Sequence, residues 1–419
     1  MTTDADIVVV GAGAAGLAAA AELAALGRSV ILLEAAGQIG GRARTVEPVP
    51  GLPFDLGASF IHAADAGNPW ADLALAVGAR PQADPRHRLL AADGIAAAPA
   101  ELLQLLAGLD DLKQRIAALA TGGTAAVAEA VPPAHPQAGY LRSWAGAWIC
   151  GEDAAAVDAA DWAQSRAGQD WLLPDGYGRL VTRFGRHLPV RLGHAVERIL
   201  VGGGRVRVLG RWGAVDAGAA IVTVPVGVLL DGRPVFEPGL PDAVRSALEG
   251  VRPGLLMKIG LQLADAGREL GDDVYLSGHG DAPASLLFHM RGFGRPMAMA
   301  FAGGALAREL EAAGEAAAFA HARAALGEIL GHAAVRAVAP LAVSQWGRDP
   351  LARGSYSVAR PGCAPARAVL QRPIHERIWL AGEACDSDGW AATVAGAYLS
   401  GRRAARAASA ARRTVAIPP

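Results

Sequence analysis

The stretch from Ile7 to Glu34 leaves the chain few choices. Ile7-Val8-Val9-Val10 is an apolar, β-branched run of the kind that forms a parallel strand buried on both faces. Gly11, Gly13 and Gly16 follow at G-x-G-x-x-G spacing. Ala14 and Ala15 open an Ala/Leu-rich segment that reads as a helix to about Leu26, with Gly27 where a C-cap belongs. Ser29 to Leu33 reads as a second strand, and Glu34 and Ala35 follow it. Strand, helix and strand make a β-α-β unit that binds a dinucleotide. The first glycine allows the turn, the second lets backbone approach a pyrophosphate, and the third lets helix and strand pack closely. The helix N-terminus offers free N–H groups to phosphate. Glu34 is expected to accept the hydroxyls of an adenosine ribose. This unit leaves NAD and FAD both open.

The 419 residues suffice for two cores. A net charge of −1 carries no electrostatic footprint for nucleic acid. Three isolated cysteines, Cys150, Cys363 and Cys385, form neither a disulfide framework nor a metal spacing, which fits a reducing, cytoplasmic setting and no metal site. The chain enters its first strand with no signal-peptide pattern, and apolar runs are broken well short of the ~20 residues that span a bilayer. The Arg-rich end (Arg402, Arg403, Arg406, Arg412, Arg413) reads as the solvated face of a last helix.

Further signals follow in order. Gln38 to Thr45 holds a second glycine pair, Gly40-Gly41, with Arg42 beyond it. Pro53 to His62 turns at Gly57-Ala58-Ser59. A short helix is expected over 71–77. Residues 95–171 change character: Ala/Leu-rich with helical spacing at Leu102, Leu105, Leu106 and Leu109, and tryptophans that read as packing. Strands are expected over 195–200, 205–209, 219–224 and 255–263. In the last of these, Met257, Ile259, Leu261 and Leu263 share one face, and Lys258, Gly260 and Gln262 the other, leaving room for water beside the lysine. Leu306 to Leu330 reads as one amphipathic helix.

Several of these segments resemble motifs of the flavin-dependent amine oxidases of the polyamine oxidase and monoamine oxidase type. Gly40-Gly41-Arg42-Ala43-Arg44-Thr45 resembles that family's G-G-R-x-x-T, Asp55 to His62 its D-x-G-A-S/H-W-x-H, and Leu173 to Leu180 its P-x-G-Y-x-x-L. Thr223 to Leu229 is similar to T-V-P-L-G-V-L, Trp346 to Tyr356 to W-x-x-D-P-x-x-x-G-S-Y, and Ala381-Gly382-Glu383 precedes a helix opened by Trp390, Thr393 and Val394. The resemblance implies an α/β fold. An FAD-binding Rossmann-like domain (1–77, 180–250, 366–419) would be interrupted by a substrate domain (78–179, 251–365) of mixed β-sheet, with a helical insert at about 95–171. It implies FAD as cofactor. Arg42 would face the diphosphate, Val196 the adenine, and Glu383 with Gly382 the ribityl or diphosphate region. Gly57, Ala58, Ser59, Trp346 and Trp390 would lie beside the flavin ring, and the Thr393 and Val394 N–H groups would meet flavin O2. Lys258 would hold a water over flavin N5, and Tyr356 and His62 would wall the substrate pocket. Ser355 stands where monoamine oxidases carry the flavin-linked cysteine, so the FAD is expected to be non-covalent. Thr393 replaces the tyrosine of their aromatic cage.

The activity so implied is oxidation of an uncharged amine to an imine with O₂ reduced to H₂O₂. Partners are then a small amine and O₂, with neither nucleic acid nor membrane. Two other readings stand beside it: a desaturase of the carotenoid or porphyrinogen type, and a flavin-bound module without activity. The desaturases generally lack Lys258 and the Gly-Ser-Tyr element.

Overall fold

The computed structural model describes residues 4–278 and 286–414. Its first sheet has eight strands. Strand Ala5–Val10 lies at the centre, flanked in parallel by Val30–Leu33 and Gly213–Val222, and Val190–Arg191 extends the Val30 side. The long Gly213–Val222 strand splits its partners. Its first half pairs antiparallel with Arg205–Gly210 and its last residues pair in parallel with Ile378–Leu380. Thus three stretches far apart in sequence close one sheet.

The β-branched run at Ile7 is explained by two cores. Ile7 and Val9 face helix Ala14–Ala25 and the last helix, Val394–Thr414, while Val8 and Val10 face Ile199, Phe236 and Leu248. A strand covered on both sides shows no polar alternation. Gly16 faces the strand end so closely that a Cβ there would come within 1.8 Å of the Gly11 carbonyl oxygen. Gly27, with φ +70°, follows the helix as a left-handed residue. Trp70, fully buried, joins helix Pro69–Ala76 to this core, and its Nε1 donates to Val394 O at 3.1 Å.

The second sheet runs in the order Ala339–Val343, Leu256–Gln262, Met297–Gly303, Leu287–Met290, Val274–Gly278, His87–Ala92, Ile95–Ala96. One face packs on helices Gly304–Ala313 and Glu315–Leu330 through Ile259, Leu261, Ala300 and Phe288. The other packs on the hairpin Thr45–Val49/Leu52–Asp55. The helical insert begins at Pro99–Ala120 and has its own core.

Several expectations need correction. The 306–330 helix is two helices, broken at Gly314 with φ +95°. Strand 195–200 begins only at Arg198, because its partner ends at Gly210, so Val196 lies before the strand. In the insert the buried stripe is Leu105, Leu109, Leu112 and Ile116, and Leu106 faces solvent. Ile95–Ala96 and Trp171–Leu172 are strands rather than parts of the insert. Helix Tyr177–Gly185 runs across the expected 179/180 join and packs whole on the first core. The space over Gly260 is taken by the Phe54 ring. A Cβ there would meet the Phe54 ring at 2.7 Å. The terminal arginines are not simply solvated: Arg402 and Arg406 both pair with Glu22, at 2.7 and 2.6 Å. The side chains of Arg412 and Arg413 lie outside the described residues.

Phe54 is fully buried and ties the hairpin to the second sheet beside Met297, Met299 and Phe301. Phe54→Ala should destabilise the protein by about 3–5 kcal/mol through lost burial and a residual cavity. Urea unfolding would read this as a lower midpoint, and an unchanged midpoint would show that the hairpin contact is dispensable.

Candidate active site

The glycine turns meet face to face. Gly40 N–H donates to Ala12 O at 2.9 Å, and Gly13 bridges Gly40. A Cβ on Gly13 would meet only the Gly41 Cα, at 3.9 Å. The two turns therefore leave a cradle of bare backbone. Helix Ala14–Ala25 opens into it with no side-chain cap, and Ala14 and Ala15 are buried at its first turn. Glu34, 9% exposed, braces this turn: Oε2 accepts Ala12 N–H at 2.6 Å and Oε1 accepts Ala36 N–H at 2.7 Å. Each oxygen retains a lone pair for a further donor. Burial pushes its carboxyl above the ordinary value, against the N–H groups of Ala36, Ala12 and Ala35. His194 and Trp212, 5.2 Å apart, flank the Val196 segment, and His194 N–H donates to Glu34 O at 2.7 Å. A ring pair with no motif around it gave the sequence no signal.

Arg42 reaches across to two segments late in the chain. Its Nη1 donates to Ser355 O at 2.6 Å and Glu383 Oε1 at 3.0 Å. Arg42, Thr223 to Val226 and Ala381 to Cys385 line a small cleft. Gly382 sits at its edge, held by Ser400: Gly382 N–H donates to Ser400 Oγ at 2.9 Å. A cradle free of Cβ atoms, an uncapped helix start and a guanidinium facing a cleft fit the diphosphate of a dinucleotide.

Gly57 is where distant segments converge. A Cβ on it would lie 1.7 Å from Arg42 O and 3.2 Å from the Trp346 ring. Trp346 Nε1 donates to Leu56 O at 2.9 Å, and Ala58 N–H donates to Arg42 O at 3.3 Å. Lys258, 4% exposed, donates through Nζ to Gly57 O and to Ser59 Oγ. Burial pushes its ammonium down to about 8, opposed by the charge of Asp55. Asp55 was not singled out in the sequence. It is 7% exposed and accepts from Thr45 Oγ1 and from Tyr177 N–H at 3.1 Å, fastening the hairpin to the Gly176 turn. A second small cleft is lined by Asp55, Ser59, Phe60, His289, Phe293 and Met299. His289, also missed, stacks on Tyr275 at 4.7 Å and stands 3.3 Å from Asp273.

Other expected residues make contacts of their own. Tyr356 OH donates to Ile149 O at 2.6 Å, and burial, with Cys150 and Glu383, pushes its phenol well above the ordinary value. Thr393 caps the last helix: its Oγ1 accepts Gly396 N–H at 3.0 Å, while its N–H turns back to Trp390 O at 3.3 Å. Trp390 is 4% exposed and lies under the Arg166 guanidinium, 5.2 Å away. Its N–H donates to Asp386 at 2.8 Å. His62 is half exposed, stacked 5.6 Å from Phe60, with Nδ1 3.4 Å from Asp170. It does not line the cleft that Ser59 and Phe60 share. Among the described residues no cluster of His, Cys, Asp and Glu could hold a metal, and no helix is long and apolar enough to cross a membrane.

A β-α-β unit with a bare-backbone cradle, tied to a second sheet through a buried lysine, is the architecture of a dinucleotide-binding protein. Residues 137–409 match the profile of the flavin containing amine oxidoreductases, and residues 9–75 that of an NAD(P)-binding Rossmann-like domain. The chain therefore belongs to the flavin-containing amine oxidoreductase family, and its cofactor is FAD. Polyamine oxidase 3 of Oryza sativa subsp. japonica is 28% identical over 95% of this chain and 88% of its own length. Lysine-specific histone demethylase 1 homolog 2 of Arabidopsis thaliana is 29% identical over 96% of this chain, which spans only 58% of that relative. A solved putrescine oxidase bound to putrescine has the same fold, with a TM-score of 0.75 at 20% identity, covering 97% of this chain and 99% of that one.

Burial raises the Asp170 carboxyl, but the His62 hydrogen bond and charge, the Ala63 N–H and Arg86 outweigh it and hold the group below the ordinary value. A carboxyl depressed by folding contributes stability above its unfolded value of about 3.9 and loses it as pH falls through the folded one. The gap in melting temperature between wild type and Asp170→Asn should be present at about pH 5 and close as pH falls below about pH 4. A gap that persists into acid would show that the pairing contributes nothing.

Proposed function

We propose that the protein is an FAD-dependent amine oxidase that converts a primary or secondary amine to an imine and passes the electrons to O₂, giving H₂O₂. Lys258 carries this reading. A lysine taken out of water between a carbonyl and a hydroxyl, beside the Gly57 turn, is costly to the fold, and desolvated charges of this kind cluster at functional sites. The similarity to polyamine oxidases along nearly the whole chain supports it. Bound FAD supplies the two-electron chemistry. Arg42 and Glu34 hold its charged and ribose ends. Gly57 to Ser59 and Trp346 form one wall of the site, and the buried aromatics exclude water. Lys258 has three N–H donors and spends two on Gly57 and Ser59, so a third remains for a water or a reacting group. Tyr356, held neutral, and His62 are assigned to the substrate wall, and Thr393, Val394 and Trp390 to the flavin.

The demethylase-like relatives favour a second reading in which the amine is a methylated lysine side chain. Free polyamines, monoamines and methyl-lysine peptides separate the two in one peroxide assay, and the oxidase reading fails if none yields peroxide. Free thiols at Cys150, Cys363 and Cys385 support a cytoplasmic location.

Lys258→Met should fold and bind FAD yet turn over about ten- to a thousandfold more slowly, the scale of a lost charged donor. The group loses its proton as pH rises through about 8, so wild-type turnover should fall there and the variant should lack that limb. Wild-type turnover in the variant at every pH would remove Lys258 from the mechanism.

FAD attachment is assigned as non-covalent. Ser355 Oγ accepts Leu256 N–H at 2.9 Å and donates to Gly254 O at 3.1 Å, and nearby Cys150 and Cys385 have thiols that burial pushes up to about 12. Acid precipitation should release intact FAD into the supernatant. Flavin retained in the pellet would contradict the assignment.

A further inference from the structure

Arg367 is 2% exposed and belongs to none of the motifs. Its Nε and Nη2 donate as a fork to Asp161, at 2.6 and 2.8 Å, and Asp161 lies on helix Ala159–Ala163 of the helical insert. Its Nη1 donates to Ser357 Oγ at 2.8 Å. Ser357 stands next to Glu383: its Oγ is 2.5 Å from Oε2 and its N–H lies 3.2 Å from both oxygens. Glu383 Oε1 in turn accepts from Arg42.

The direction of the protons follows from chemistry. A guanidinium has no acceptor, so Ser357 Oγ must accept from Arg367. The single hydroxyl proton of Ser357 is then committed to Glu383 Oε2. With Oε2 held by the hydroxyl, Oε1 is aimed at Arg42. The chain Asp161–Arg367–Ser357–Glu383–Arg42 thus runs from the insert to the cofactor cradle through charge-assisted hydrogen bonds, buried at Ser357 and partly buried at either end, which are stronger than neutral ones.

We propose that Arg367 is a positioning residue that orients the Ser357 hydroxyl onto Glu383, so that the insert, through Asp161, sets the grip of Arg42 on FAD. This rests on the assignment of Arg42 and Glu383 to the cofactor. A packing role alone would need neither the fork nor the fixed proton.

The test is the dissociation constant of FAD from apoprotein, read by quenching of flavin fluorescence, in Ser357→Ala, Arg367→Gln and Asp161→Asn. Ser357→Ala removes the relay and keeps the Arg367–Asp161 pair, so it guards against a fold lost with the arginine. Each variant should weaken FAD about tenfold, the scale of one hydrogen bond to a charge. The Ser357→Ala/Arg367→Gln double variant should be no weaker than its weaker parent, because both cut one chain. Lowered apoprotein melting with unchanged FAD affinity, or losses that add fully, would overturn the proposal. Arg42→Met serves as reference. If it weakens FAD while the other three do not, the coupling is wrong. If it also leaves affinity unchanged, the assignment of Arg42 fails and the coupling falls with it.

Discussion

The Lys258 ammonium rests on the Gly57 carbonyl and the Ser59 hydroxyl with almost no access to water. Removing a lysine from water is unfavourable unless its protons are matched, and the depressed pKa records the residual cost. The match requires the Gly57 turn to sit against the second sheet. That turn in turn needs a residue without a side chain, because Arg42 O and Trp346 occupy the space a Cβ would fill. One contact therefore fixes the glycine-rich loop after the nucleotide unit, the loop before Tyr356 and the strand that carries Lys258.

The same economy appears at the cradle. Glu34 braces the Gly11 to Gly13 turn with one oxygen and its own following turn with the other. Arg42 is not left as a free cation. Glu383 and the Ser355 carbonyl hold it from within the protein. Preorganised donors lose little on binding, which is the physical advantage of such networks. Glu311 does comparable work at the second sheet, accepting Gly347 N–H at 2.9 Å and so fixing the loop that carries Trp346.

Much of this was legible in the residues. The Ile7 run, the three glycines and Glu34 carry local rules strong enough to define the β-α-β unit, and the alternation at Met257 to Leu263 separated Lys258 from its apolar neighbours. What was not legible depends on partners distant in sequence. The Phe54 ring fills the space that Gly260 leaves, and no pattern near residue 260 could say so. Leu106 keeps helical spacing yet faces solvent, since the insert presents only its Leu105 to Ile116 stripe. Arg402 and Arg406 read as solvated because Glu22, their partner, is hundreds of residues away. Asp55 and Arg367 were invisible as site residues because their meaning lies in the charges opposite them, at Lys258 and Asp161.

The central claim is that an amine oxidised at this site gives its electrons to the bound cofactor. Anaerobic addition of amines to the yellow holoprotein measures this directly. The expected result is bleaching of the flavin band by at least one uncharged amine, with full recovery and peroxide release when air is admitted. Flavin that stays oxidised under every amine offered, in protein that holds FAD and is folded, would contradict it.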